Sequence, residues 1–552
     1  MRSTCPSRRA RFFARTTAAT LCILVVLAVS IRGSAAHAQA AGEGWQPPTA
    51  HAVAPSIVHL PSVQGPIPVS SDSWPFASVM HSVTARDLGA SGYVEEEYFV
   101  SGVAHVYAWP ALGRLTSFAR GPYTTRILVR RPKDPARFSG TVIVEALNPS
   151  LRYDAAIMWM ESQDYFIGHE DAYVGVTVKP VAIESLKRFD RERYAALSFA
   201  NPLPPATTCP TSMLPPAPGG LPPESSPRTE NGLIWDILSD VGVLVRSRDA
   251  RNPLARFAVS RVYLTGDSQS GAFVLIYANA IHPFALRAGG KPIYDGYLTS
   301  SAQSPGVPVN QCAPAAPPGD PRLIMQPRGV PIIKLVNQTD LTYLDRRADS
   351  DAVPDLYRGY EIAGAAHVHD WVLKWGAAEA DVAKTGAAGF LSDALCKQHG
   401  EHGNEFPTQY VLDGAWANLE RWSRQGVPPP RAAPLDVRDP HHARATLVLD
   451  EFGNAVGGVR TPYVDVPLVR YGVYMDGPGI CELWGYQVPL PAPVLERLYP
   501  TGRDYLKRVK AATRATVAER WFTPEDGQRV LKEAAAAAER MDMTRTASVR
   551  SD

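Results

Sequence analysis

The chain has 552 residues, with 56 Lys+Arg against 54 Asp+Glu and a formal net charge of +2. A balance this even argues against a nucleic-acid binder held by bulk charge and against an acidic solvating tail. Hydrophobic residues make up 45% and charged residues 20%, the composition of a folded globular protein long enough to bury a large core, while 50 prolines imply many fixed turns and ordered loops.

Arg2, Arg8, Arg9, Arg11 and Arg15 precede an apolar run from Ala18 to Val29, and the small residues Ser34, Ala35, Ala36, Ala38 and Ala40 follow. That order predicts a secretory signal peptide over residues 1–40, cleaved after Ala38 or Ala40. The run is shorter than the roughly 20 apolar residues a membrane span needs. Arg8-Arg9 with Phe12 and Phe13 resembles a twin-arginine signal at imperfect spacing. No other run reaches membrane length, so the processed chain is expected to be periplasmic or secreted, with no membrane anchor. Cys5 and Cys22 leave with the signal. The remaining Cys209, Cys312, Cys396 and Cys481 allow three disulfide connectivities. The expected pairs are Cys209 with Cys312, both in Pro-rich loops, and Cys396 with Cys481. No C-x-x-C occurs to suggest zinc or thioredoxin-like chemistry.

Residues 41–90 read as a Pro/Ser-rich leader wrapping over the core. From Gly92 the pattern becomes periodic. Strands are expected at Tyr93–Val100, Ala104–Tyr107, Thr125–Arg131, Gly140–Glu145 and Ala172–Thr177, with a helix at Ala155–Tyr165 between the last two. The charge cluster Glu95-Glu96-Glu97 reads as solvated or as an edge-strand device. Strand–helix–strand alternation with short buried apolar strands points to an α/β architecture around a mostly parallel sheet. Residues 201–230 form a Pro-rich block of the kind used for a lid. Helices are expected at Gly232–Ser247 and Ser268–Ile281, and strands at Ala258–Leu264, Tyr294–Ser300, Pro331–Val336 and Tyr360–Ala363. Beyond residue 380 the text suggests a helix at Tyr410–Trp422 and a hairpin region at Thr446–Val466 turning at Gly453-Asn454. Amphipathic helices follow at Gly502–Phe522 and Pro524–Met541, then a frayed tail at 543–552. The organisation is therefore a core over 91–380 with a lid near 201–230, and a C-terminal extension or cap over 381–552.

The sharpest motif is Gly266-Asp267-Ser268-Gln269-Ser270-Gly271, which closes an apolar strand and opens a helix. A nucleophile elbow needs that context, with small residues two before and two after the serine where the backbone is crowded. Ser268 meets the requirement, flanked by Gly266 and Ser270; the rival Ser270 lies too far into the helix. A serine nucleophile needs a base oriented by an acid, in the chain order Ser, acid, His for this architecture. Asp340 follows the strand ending at Val336, and His367 follows Gly364-Ala365-Ala366 after the next strand. Asp349, Asp351, His369 and Asp370 are nearby alternatives. His367-Val368-His369-Asp370 also reads as a metal cluster, but one alternating pair without a partner motif gives no metal assignment. The oxyanion donors expected are the Gln269 N–H and one from the loop holding Asn148, which otherwise reads as a plain turn residue before Pro149. His441-His442 reads as a surface turn, and no phosphate-binding or dinucleotide-binding fingerprint occurs.

Several further segments together with these resemble a large bacterial group of α/β-hydrolase-domain proteins. They are Gly92–Tyr98, Val144–Asn148, Tyr173–Val176, Gly266–Gly271, Gln338–Asp340, Gly364–His367 and Gly457–Pro462. The resemblance runs from Gly92 to at least Pro462. It implies a hydrolase and says little of substrate. The group's elbow often continues with Arg where Ala272 stands, and its acid loop often holds a Glu where Gln338 stands. The expected activity is cleavage of a small-molecule carboxylic ester through Ser268, His367 and Asp340 without a cofactor. A serine peptidase or acyltransferase on the same triad, or an exported binding protein that has lost activity, are the alternatives.

Overall fold

The computed structural model describes residues 50–551 apart from 111–112, 205, 209–225, 303–306, 315, 318, 342–345, 388–401, 440–445, 474, 476–480 and 482. The expected signal segment, most of the Pro-rich lid, Cys209, Cys396 and His441-His442 lie outside the described residues.

The leader contributes three short strands, β1 (His51–Ala52), β2 (Ser56–Ile57) and β3 (Ser62–Gln64). A long hairpin follows, β4 (Tyr93–Ala108) and β5 (Thr116–Pro132). Then come β6 (Thr141–Ala146), β7 (Ala172–Val176), β8 (Arg261–Asp267), β9 (Ala285–Arg287) and β10 (Lys291–Pro292). The last four are β11 (Gly296–Ser300), β12 (Ile332–Asn337), β13 (Ser350–Ala352) and β14 (Asp355–Ile362). Among the described residues the central sheet has eleven strands in the order β13-β14-β12-β11-β8-β6-β7-β5-β4-β3, with β1 beside β5. From β14 to β7 every neighbour pair is parallel. β6, β7, β11 and β12 are buried along their whole length, as apolar strands covered on both faces must be.

The principal helices are α1 (Ile157–Gly168), α2 (Pro180–Phe189), α3 (Ile234–Leu244), α4 (Gln269–Ile276), α5 (Thr408–Gln425), α6 (Gly502–Ala518) and α7 (Pro524–Ser551). α5 meets α1, β11 and β12. One continuous apolar cluster joins Ile143, Tyr263 and Ile333 of the sheet to Trp416 of α5, Tyr505 of α6 and Val530 of α7. The C-terminal segment therefore completes one face of the sheet.

Several expected boundaries move. The two strands anticipated on either side of Gly102 are one, β4, because the antiparallel ladder with β5 runs unbroken through Gly102 and shifts register only at Val106/Tyr107. The helix expected to reach Ile281 ends at Ile276 and relaxes into a π turn over Tyr277–Ile281. The turn at Gly453 is present, but Pro462–Asp465 is a helical turn. α7 continues to Ser551, through residues expected to fray.

Glu95, Glu96 and Glu97 also depart from expectation. Each faces an arginine: Glu95 meets Arg130 at 2.7 Å, Glu96 meets Arg131 at 2.8 Å, and Glu97 meets Arg193 at 2.6 Å. Glu97 and Arg126 are fully buried, and Arg126 also holds Asp154 at 3.0 Å. Arg126, Arg130 and Arg131 lie on the neighbouring strand β5 and Arg193 lies beyond α2, all out of reach of any local sequence pattern. Removing one partner of a buried pair strands the other charge. Arg126→Met is expected to destabilise the protein by about 3–5 kcal/mol, read from denaturant unfolding.

Candidate active site

At the C-terminal end of β8 the chain turns sharply into α4. Ser268 sits at that corner with φ 55° and ψ −123°. A non-glycine residue there is strained and persists only when its surroundings hold it. Five hydrogen bonds do so. Ser268 N–H donates to Ser300 O at 3.0 Å, and Ala272 N–H donates to Ser268 O at 3.0 Å. Ser270 Oγ donates to Asp267 O at 2.9 Å and accepts from Asp267 N–H at 3.0 Å. Asn148 Nδ2 donates to Asp267 O at 2.9 Å. Gly266 is needed because a Cβ there would lie 2.5 Å from Ser270 O, and Gly271 because one would lie 2.8 Å from Ala302 Cβ. Ser270 is fully buried and spent on this corner, while Ser268 is partly exposed. Of the two serines, only Ser268 reaches the surface.

Asp340 closes a helical turn after β12, its Oδ2 accepting from Asn337 N–H at 3.2 Å. Its other oxygen lies 2.6 Å from His367 Nδ1. The loops of acid and base are laced together. His367 N–H donates to Thr339 Oγ1 at 2.7 Å, Gly364 N–H to Gln338 Oε1 at 2.8 Å, and Gln338 N–H to Ala365 O at 3.1 Å. Gly364 has φ 89°, a conformation glycine favours, and a Cβ there would come within 2.7 Å of the Phe406 ring.

Burial disfavours the His367 imidazolium, but the charge of Asp340 and its hydrogen bond, with a further contribution from Asp267, outweigh that and raise the histidine to about 9. Asp267, the residue before the nucleophile, is pushed up by burial to about 6, against the lowering influence of His367 and a hydrogen bond from Ser300. β8, β11, β12 and β14 are adjacent and parallel, so the elbow, Asp340 and His367 follow strand ends on the same edge of the sheet.

The other candidates are engaged elsewhere. Asp349 and Asp351 pair with Arg358, and Asp351 also with Arg431. His369 is buried and turns to Glu161, its Nε2 2.6 Å from Oε1. His367 and His369 thus serve different carboxylates. The Glu161–His369 pair was not legible in the sequence, because α1 and the base loop are distant in the chain. Gln269 opens α4, where helix N–H groups point outward. Asn148 is differently placed from expectation. Its backbone N–H donates to Ala155 O at 2.9 Å, so the residue braces the elbow through its side chain and its own N–H is committed.

A family model described as an alpha/beta hydrolase domain matches residues 63–532. Among solved structures the chain is similar to the esterase Est22, at 11% identity and a TM-score of 0.24 over 45% of this chain and 64% of that one. It is similar to a lipase/esterase from Lactobacillus plantarum at 10% identity and a TM-score of 0.24, over 43% and 80% of the two chains. It is also similar to an alpha-beta serine hydrolase homologue from Coxiella burnetii at 10% identity and a TM-score of 0.20, over 39% and 69%. The match spans less than two thirds of the length of Est22. No curated protein matches the sequence.

A general base must be neutral to accept a proton. With His367 raised to about 9 and serving as the base proposed below, turnover is expected to fall as pH drops through an acid limb above the ordinary histidine value. Asp340→Asn removes the interaction that favours the imidazolium. In a kcat/KM–pH profile the limb is expected to move to lower pH, with a large fall in the plateau.

Proposed function

The chain belongs to the alpha/beta hydrolase domain family, and from that premise we propose that it is a serine hydrolase cleaving a small-molecule carboxylic ester. The observation that carries the reading is the strained, partly exposed Ser268 at the head of α4, together with a histidine held 2.6 Å from Asp340 at the ends of parallel strands of the same sheet. His367 donates from Nδ1 to Asp340, which leaves Nε2 to take the Ser268 proton. Ser268 Oγ attacks the ester carbonyl, and the negative oxygen is held by the Gln269 N–H at the head of α4. A second N–H comes from the loop that Asn148 anchors. His367 returns its proton to the departing alcohol, and the acyl-enzyme is released by water with His367 again as base. An alkoxide leaves more readily than an amine anion, so an ester asks less of the acid than an amide does.

Export belongs to the same proposal, on the order of Arg-rich, apolar and small-residue segments before residue 41. So do disulfides joining Cys209 to Cys312 and Cys396 to Cys481. Cys312 and Cys481 are buried, and Oγ1 of Thr208, the neighbour of Cys209, lies 4.0 Å from Cys312 Sγ.

A fluorophosphonate probe with intact-mass readout tests the nucleophile. The adduct is expected on the wild type and on Ser270→Ala, and to vanish in Ser268→Ala. A folded wild type that takes no adduct would remove the serine-hydrolase reading. Non-reducing peptide mapping is expected to find the two cysteine pairs, and free thiols on all four would overturn them.

A further inference from the structure

A second cavity, about 910 Å³ in volume, opens between the leader strands, the arm made by β4 and β5, and α3. None of Ser268, Asp340 and His367 lines it. Its far wall is Ile281 and Phe284, past the end of the helical run that Ser268 heads, roughly 20 Å away at a helical rise of ~1.5 Å per residue. Its volume is that of a small-molecule site. The other walls mix apolar and aromatic side chains, Val53, Ile57, Leu115 and Phe118 among them, with polar and charged ones.

Two carboxylates of α3, Asp236 and Asp240, share one helix face and line this cavity. Asp236 is fully occupied. It accepts from His105 N–H at 2.8 Å, faces His105 Nδ1 at 2.7 Å, and accepts from Tyr107 OH at 2.6 Å. This binds α3 to the arm and explains that residue. Asp240 is different. It is nine-tenths buried and its Oδ2 accepts from Tyr123 OH at 2.5 Å. Its Oδ1 takes no hydrogen bond among the described residues. The strand above is cleared for it, since a Cβ on Gly102 would lie 2.9 Å from Asp240 Oδ2 and 2.8 Å from the Tyr123 ring. A structural tether accounts for Asp236. It does not account for the second carboxylate on the wall of the cavity.

We infer that this cavity binds a small organic cation with an apolar body, its charged head on Asp240 Oδ1 and its body against Phe118 and Phe284. The charged neighbours set the pH dependence. Burial and the charge of Asp236 push Asp240 up to about 8, while Tyr123 and His105 act the other way. Arg120 from β5, His105 from β4, and His51 and His59 from the leader also line the cavity. When Asp240 is ionised its charge faces the cation; when it is neutral that attraction is lost and Arg120 opposes binding. Binding therefore strengthens as pH rises through about 8 and a bound cation displaces a proton.

The test is calorimetric titration of the protein with 4-phenylbutylamine, which stays protonated across this range, against its anionic and neutral counterparts 4-phenylbutyrate and 4-phenylbutanol. Saturable amine binding is expected above the Asp240 transition, weaker below it, with no competition from the butyrate. Asp240→Asn nearly preserves shape and is expected to weaken the amine by about tenfold or more. Val103→Lys, at an exposed position on the rim, is expected to do the same by placing a cation at the mouth. An unchanged thermal midpoint confirms folding of both variants without reference to esterase activity. Equal amine affinity in Asp240→Asn, equal affinity for the butyrate, or no saturable binding at millimolar amine would each overturn the inference.

Discussion

The positive φ of Ser268 is the constraint on which the rest of the site depends. A non-glycine residue in that conformation costs about 1–3 kcal/mol, and the fold has to supply it from outside the turn. The strand β8 contributes Asp267, whose carbonyl receives both the Ser270 hydroxyl and the Asn148 amide. The neighbouring strand β11 contributes the Ser300 carbonyl that receives the Ser268 N–H. The two glycines are where other backbone or side-chain atoms come too close for a Cβ. The motif is therefore a set of steric and hydrogen-bonding demands. Ser270 belongs to it as a brace, buried and bonded to Asp267, which leaves Ser268 as the serine at the surface.

The second dependence is on the chain beyond the base. Gln338 receives Gly364 N–H on its oxygen and donates through Nε2 to Tyr471 O at 3.2 Å. A carboxylate at 338 could accept from Gly364 but could not donate to Tyr471, and would face that carbonyl as a charge. The amide at this position is thus matched to the C-terminal segment, and Asp340 is left as the acid that touches the base. Val368 N–H donates to Leu483 O, and Asn404 Nδ2 donates to Gly364 O at 2.9 Å. The residues after His367 hold the base loop in register, whatever else they cover.

Much of this was legible in the sequence because it is local. Short apolar strands between turn residues fixed the parallel sheet, and β6 and β7 moved by only a residue or so. Ser268, Asp340 and His367 were expected from what each follows in the chain, and the structure brings Asp340 and His367 into contact. What escaped was non-local. The leader strands β1–β3 are too short to show periodicity and exist because β4, β5 and β9 offer edges. The buried role of Glu97 depends on Arg126 and Arg193, and that of His369 on Glu161, partners far away in sequence. Asn148 was found as a residue near the elbow, but its role turned on which of its donors Ala155 already occupied.

The same long-range placement couples stability to chemistry at His367. Its folded-state value lies above that of a free histidine because Asp340, and behind it Asp267, stabilise the imidazolium more than burial opposes it. By linkage, the stability this gives is fully present below pH ~6.5 and is lost as pH rises through about 9. In the proposed reaction the neutral imidazole that takes the Ser268 proton is the form that lacks this stabilisation, and the imidazolium formed as the serine attacks regains it. The interaction thus opposes the resting base and favours the charged state met during reaction, which is the direction in which a fixed carboxylate lowers a barrier. Asp267 cannot replace Asp340 in that part. It is turned to Ser300 and burial has raised it to about 6, whereas Asp340 presents an oxygen at 2.6 Å to the ring nitrogen.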